Sequence, residues 1–341
     1  MSTTHASAAP HGANEADDVA TSGPSLRLQR LLALVLLICQ GGITVTGSLV
    51  RVTGSGLGCA DWPLCHEGSL VPVPGAAPWI HQAIEFGNRL LTFVVAAAAI
   101  AVVVAVYRAG RRKQVTRLAV ASLAGVGLQA VIGGISVLLE LQWWAVAIHF
   151  LPSMVLVWIA AVLYMRIAES DHGTPTERFP HSVTICVIAA AVALSLVLIT
   201  GTMVTGSGPH SGDAGVGMDG RLALDTRMLA YIHAGSMYVY LAATLLTVYL
   251  LRRHHAPKDA FRASLVLVGM IVIQWAIGVT QFYLGVPRWT VPLHIAMSSV
   301  VVACSAFVYA HGRRRLPLVT SGTAESWSQH ESDPRRASRR A

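Results

Sequence analysis

Apolar residues run through the chain in eight long stretches separated by short polar segments, without the alternation expected of half-buried strands. Each stretch reaches about 20 residues, enough for a helix to cross roughly 30 Å of hydrocarbon. Backbone N–H and C=O groups find no water in a bilayer core, so each span must satisfy them internally as a helix. The stretches lie near 28–50, 82–107, 118–139, 144–166, 182–204, 227–251, 263–285 and 289–311. The pattern predicts an all-α integral membrane protein with eight transmembrane helices.

Composition agrees: 54% of the 341 residues are hydrophobic and 12% charged, too apolar a balance for an ordinary soluble domain. The net charge of +8 would suit nucleic acid if it covered one surface. Instead the cations gather between spans: Arg27 and Arg30, then Arg108, Arg111, Arg112, Lys113 and Arg117, then Arg252, Arg253, Lys258 and Arg262, then Arg313 to Arg315. Membrane lipid, not nucleic acid, is the expected environment, and the positive-inside rule puts both termini in the cytoplasm. Segments 1–27 and 312–341 read as disordered cytoplasmic tails. The first has neither a signal-peptide core nor an Arg-rich presequence pattern, so a bacterial plasma membrane is the expected location.

The sequence also repeats itself. At an offset of 145, Gln129, Ile132, Gly133, Trp144, Val146 and His149 fall without a gap on Gln274, Ile277, Gly278, Trp289, Val291 and His294. The same offset carries Asn88 onto His233. Upstream, Thr46-Gly47-Ser48 and Thr53-Gly54-Ser55-Gly56 resemble Thr200-Gly201-Thr202 and Thr205-Gly206-Ser207-Gly208. Two pseudo-symmetric four-helix bundles are therefore expected, 28–166 and 182–311, joined by a cytoplasmic linker at 167–181. An even number of spans per half makes the repeat parallel, so matched residues share one depth, in the outer leaflet.

Of the 14 histidines, His81, His149, His233 and His294 lie in or at the mouth of spans, where an ionisable group ordinarily faces a bundle interior or a cofactor. A satisfied helix–helix hydrogen bond is the bland alternative for any one of them. An imidazole on each of two facing helices is the arrangement that ligates haem iron from both sides, and His233 with His294 supplies it in the second half. Zinc fits less well, because no third or fourth ligand lies nearby.

The first half breaks the symmetry, with Asn88 where the second has His233 and with His81 and Glu85 added. Residues 81, 85 and 88 follow helical i, i+4, i+7 spacing and share a face. Glu85, whose counterpart is Ala230, needs a cation or a proton at that depth. That need suits proton transfer, a salt bridge with Arg89 being the alternative. Cys59 and Cys65, in the outer segment CADWPLC, are expected to form a disulfide that closes the loop. The Thr-Gly-Ser-Gly segments read as turns or as a backbone cup for a ligand. Trp143, Trp144 and Trp289 read as an interfacial belt, and Arg51 and Arg221 are candidate partners for carboxylates.

The run TGSLVRVTGSGLGCADWPLC, the helix with IEFGNR and the paired segments ending in VAIH and VPLH resemble the haem A synthase family, over roughly residues 28–311. The resemblance implies oxidation of a porphyrin methyl group of haem O to a formyl group by successive hydroxylations, the last step to the haem A of terminal oxidases. It implies an iron-containing haem b cofactor on His233 and His294 and substrate haem O in the first half, on His149 and position 88. Since position 88 is Asn, either His149 is a single axial ligand or His81 takes over the role. Glu85 matches the family's essential glutamate, and Cys59 and Cys65 match a cysteine pair found in part of the family. A haem O synthase (farnesyltransferase) and an electron acceptor are the partners such an enzyme implies. The alternative functions are a non-catalytic di-haem electron carrier and a haem-handling protein. These need ligands but not Glu85.

Overall fold

The computed structural model describes residues 23–210 and 220–316. Most of both terminal segments expected as tails lies outside the described residues. Eight helices long and apolar enough to cross a membrane make up most of the described chain: α1 Leu26–Val52, α2 Trp79–Arg108, α3 Lys113–Leu138, α4 Trp143–Ile167, α5 His181–Ser207, α6 Thr226–Arg253, α7 Lys258–Tyr283 and α8 Thr290–His311. Their outward faces are apolar, with Phe93 72% and Val239 60% exposed. In water such a surface would be an aggregation liability. Against lipid tails it is the expected outer wall of a multi-pass membrane protein.

Several helices start before the apolar stretch that predicts them. Pro78, Pro180 and Pro257 stand at the N-caps of α2, α5 and α7, where a missing N–H costs nothing. Hydrogen bonding then continues through polar first turns such as Lys258 to Arg262, whose long side chains reach out of the hydrocarbon. Ser25 and Asp225 cap α1 and α6 through their side chains.

The α3–α4 and α7–α8 turns have one conformation. Glu140 and Leu141 take φ 51° and 58°, and Gly285 and Val286, at the same offset of 145, take 72° and 58°. Leu141 N–H donates to Ser136 O and Val286 N–H to Gln281 O, again matched positions. Such a left-handed residue without glycine carries about 1 kcal/mol of strain. Its presence at both Leu141 and Val286 says that the geometry of the turn, rather than residue preference, is what the helices require.

Helices α1 to α4 surround one apolar cluster that includes Leu36, Val102, Val115 and Leu163. Helices α4 to α8 surround another, with Val157, Leu194, Tyr240 and Val302. Helix α4 contributes to both, and α1, α4 and α8 pack on one another along the middle of the molecule. There Thr44 Oγ1 lies 3.0 Å from Ser299 Oγ.

The bundle end that carries the linker differs from the sequence expectation in one respect. Thr174–Glu177 (β1) pairs antiparallel with Arg313–Leu316 (β2), so the linker and the start of the expected tail form a two-stranded ribbon. Ion pairs hold it there: Arg112 and Arg166 meet Glu169 at 2.7 and 2.6 Å, and Asp259 receives Arg178 and Arg314 at 2.9 and 3.1 Å. Net charge and apolar patterning carried no sign of this, because isolated Glu and Asp residues in a basic segment look solvated.

Candidate functional site

A cavity of about 690 Å3 opens between the two halves, lined by residues of all eight helices, among them Gln40, Arg51, Asn88, Gln129, Trp143, His149, His233, Gln274 and His294. Its size is that of an ordinary cofactor site, roughly 300–1,000 Å3. Both sets of matched residues face it.

In the second half the His233 and His294 rings lie with centroids 6.4 Å apart and planes at 66°. His233 Nδ1 is 3.0 Å from Val197 O and 3.2 Å from Thr200 Oγ1. A carbonyl can only accept, so Nδ1 carries the proton and Nε2 keeps its lone pair, the tautomer that a metal ligand needs. On α8 His294 is held by Gln274, whose Nε2 donates to His294 O at 3.2 Å and to Ser298 Oγ at 2.8 Å and lies 3.1 Å from His294 Nε2, the ring nitrogen a bound metal would take over. His294 Nδ1 is buried without a hydrogen-bond partner.

The first half repeats these contacts. Gln129 Nε2 donates to His149 O at 2.8 Å and also to Ser153 Oγ, and His149 Nδ1 is likewise buried and unpartnered. Asn88 meets Thr46 as His233 meets Thr200, with Thr46 Oγ1 donating to Asn88 Oδ1 at 2.7 Å.

Glycines make room for the rings. A Cβ on Gly133 would come within 2.9 Å of the His149 ring, one on Gly278 within 3.1 Å of His294, and one on Gly201 within 3.1 Å of His233. Bare backbone is what lets the Cε1 edge of each imidazole come close to the neighbouring helix. Gly133 and Gly278 stand out in the sequence as matched positions and Gly201 as part of a turn-like motif. Their service as ring seats needs the helix pairing to be seen.

Glu85 and His81 are not on the cavity wall. Glu85 is 4% exposed and takes Arg89 Nη2 at 2.7 Å on one oxygen and the Cys59 N–H at 2.7 Å on the other. Arg89 in turn donates to the carbonyls of Cys59, Asp61 and Leu64. The pair thus pins the loop whose buried Cys59 and Cys65 are joined by a disulfide. Gln82 adds hydrogen bonds to Val73 and Ala77, and Trp62 fills the space in front of Gly134 on α3, one residue from the seat of His149. His81 lies at the start of α2, its backbone packed against Gly58. The salt bridge of Glu85 with Arg89 is one of the two readings that the sequence left open, whereas Gln82 and Trp62 had no signal in it beyond the place of Trp62 within the cysteine motif.

On the cavity wall Arg51 donates to Thr205 O at 2.9 Å, and its Nε is buried without a partner. Arg221 donates to Pro209 O at 2.7 Å. Trp143 lines the cavity, whereas Trp144 and Trp289 face outward as an interfacial belt would.

The donor set suits a haem. His233 and His294 would hold the iron, and their centroid separation of 6.4 Å is of the size that two metal–imidazole bonds of about 2 Å would need. Among the described residues no cluster of three or more His, Cys, Asp or Glu side chains gathers to hold a metal. Two imidazoles on neighbouring helices, with no further protein ligand among the described residues, would suit a metal already carried in a macrocycle.

The comparisons point the same way. A heme A synthase of Bacillus licheniformis is 28% identical over 150 residues, 43% of this chain and 48% of that protein. One of Staphylococcus carnosus is 27% identical over 179 residues, 51% of this chain and 56% of that protein. These matches span about half of each relative. One of Listeria monocytogenes is 23% identical over 292 residues, 82% of this chain and 93% of that protein. The family described as COX15-CtaA, cytochrome oxidase assembly protein, matches residues 30–306. That match takes in all but the outermost turns of the eight-helix bundle, and the chain belongs to this family.

Proposed function

We propose that the protein is a haem A synthase, oxidising a porphyrin methyl group of haem O to the formyl group of haem A by successive hydroxylations. The carrying observation is the cavity in which His233 and His294 oppose each other at 6.4 Å while the matched first-half positions are His149 and Asn88. Two like sites would serve electron transfer alone. A full imidazole pair beside an incomplete one supports a division into a cofactor half, 182–311, and a substrate half, 28–166.

In this reading His233 and His294 hold a haem b, and His149 holds the substrate haem. The haem b, when bound, supplies one-electron chemistry next to the substrate. The chain's own residues do the rest. Val197 and Thr200 fix the His233 tautomer, and Gln129 and Gln274 fix the backbone of His149 and His294. Arg51, which lines the cavity, and Arg221 are suited to propionate carboxylates by charge-assisted hydrogen bonds. Glu85 is the carboxylate on which we expect the oxidation to depend. Its partners, Arg89 and the Cys59 N–H, support a role exerted through the disulfide-closed loop over the substrate half.

The basic segments favour both termini in the cytoplasm of a bacterium, with the cysteine loop outside. A haem O synthase upstream and an electron acceptor downstream are the partners this reaction requires. The test is expression in cells that make haem O but not haem A, followed by haem extraction and mass analysis. Haem A is the expected product. Unchanged haem O with haem b bound would leave an electron carrier instead.

A further inference from the structure

Three of the four matched positions around the cavity carry imidazoles, and each imidazole rests on a glycine: His149 on Gly133, His294 on Gly278 and His233 on Gly201. The fourth glycine, Gly47, corresponds to Gly201 in the repeated Thr-Gly motif. Nothing lies within 4 Å of where its Cβ would be. The seat for a ring is present, and the side chain that reaches toward it, Asn88, is too short to fill it. Thr46 nevertheless holds Asn88 at 2.7 Å, as Thr200 holds His233.

A carboxamide does not stand in for an imidazole. Its nitrogen lone pair is delocalised into the carbonyl, and a neutral amide oxygen suits hard cations rather than haem iron. What it offers is hydrogen bonding. His81 does not supply the missing ligand, because it lies at the start of α2 against Gly58, away from the cavity lining.

We propose that the first half holds its haem on His149 alone, and that Asn88, seated by Thr46, faces the open axial position and hydrogen-bonds a small ligand there. This rests on the reading that the first half accommodates a haem. The protein then has one closed and one open site in a common cavity, and Asn88 is what keeps the second of them accessible to substrate-sized reactants such as oxygen or water.

The experiment uses the full-length protein in detergent, loaded with haem b and assayed by haem content, electron paramagnetic resonance and carbon monoxide titration of the reduced form. The wild type is expected to hold a low-spin haem that ignores carbon monoxide and a high-spin haem that binds it. Asn88→His, for which the empty seat at Gly47 leaves room, is expected to convert the high-spin signal to low-spin and abolish carbon monoxide binding. Asn88→Leu is expected to keep the high-spin haem and shift the stretching frequency of the bound carbon monoxide. Both haems low-spin and unreactive in the wild type would overturn the proposal while leaving two haem sites. An unmoved stretching frequency in Asn88→Leu would overturn the hydrogen bond. A haem content of one per chain, lost with His294→Ala, would instead remove the first-half haem on which the proposal stands.

Discussion

The two faces of the cavity share the parts that seat the imidazoles and differ, among those parts, at Asn88 and His233. Thr200, Gly201 and His233 in the second half answer to Thr46, Gly47 and Asn88 in the first, and both backbones keep the threonine contact and the glycine seat. On the facing helices the pairs Gln129 with His149 and Gln274 with His294 share the amide-to-backbone contact, and Gln274 also reaches the His294 ring. The lesson is that matched backbone settings can persist while a single shortened side chain changes what fills them, which on the proposed function would change how each half holds a haem. The first half then carries a second addition with no matched residue, the Glu85–Arg89 pair under the disulfide loop.

The largest effect is expected at the full pair. His294→Ala should abolish the low-spin haem b spectrum of the purified protein, read by absorption and paramagnetic resonance, and an intact spectrum would dissolve the contrast between the halves. Next is Glu85→Ala. It leaves Arg89 partly buried without its carboxylate, a loss of about 3 kcal/mol for a buried pair, felt in the loop. We expect haem A formation to fall at least tenfold with haem b content unchanged, and protease cleavage near Cys59 to rise. Full activity would remove Glu85 from the substrate half.

The glycine seats give a sharper comparison. Gly201→Ala should perturb the haem b spectrum, because its Cβ would stand 3.1 Å from the His233 ring. Gly47→Ala should leave haem content and stability unchanged, since its Cβ meets nothing. Equal effects would mean that the seat at Gly47 is filled. The smallest change is expected from Thr200→Val, which removes one of two acceptors near His233 Nδ1 and costs about 1 kcal/mol. It should shift the haem b midpoint potential without loss of haem.

Much of this was legible in the sequence. Eight spans, the offset of 145, the four candidate positions and the cysteine pair follow from patterns with a physical cause: spans must be apolar and long, duplicated helices keep their spacing, and cysteines six apart close a short loop. Less legible was what Glu85 touches. Its spacing to His81 and Asn88 puts all three on one helix face, yet Glu85 turns to the Cys59 N–H and Arg89, and Asn88 alone lines the cavity. A helix face spans many ångströms along the axis, and the loop folded over its outer turn claims the residues nearest to it. Trp62 against Gly134 and the ribbon of 174–177 with 313–316 were silent for a related reason. Contacts between segments distant in the chain leave no local period.

The sequence by itself determined the number of helices, their membrane character and which positions correspond between the halves, because these depend on residue type and spacing along a single chain. Only the tertiary structure decided that both sets of positions open on one cavity, that each histidine has a glycine behind it and that the seat beside Asn88 stands empty. Those are properties of surfaces brought together by helix packing, and a missing ring becomes visible only where the space for it can be measured.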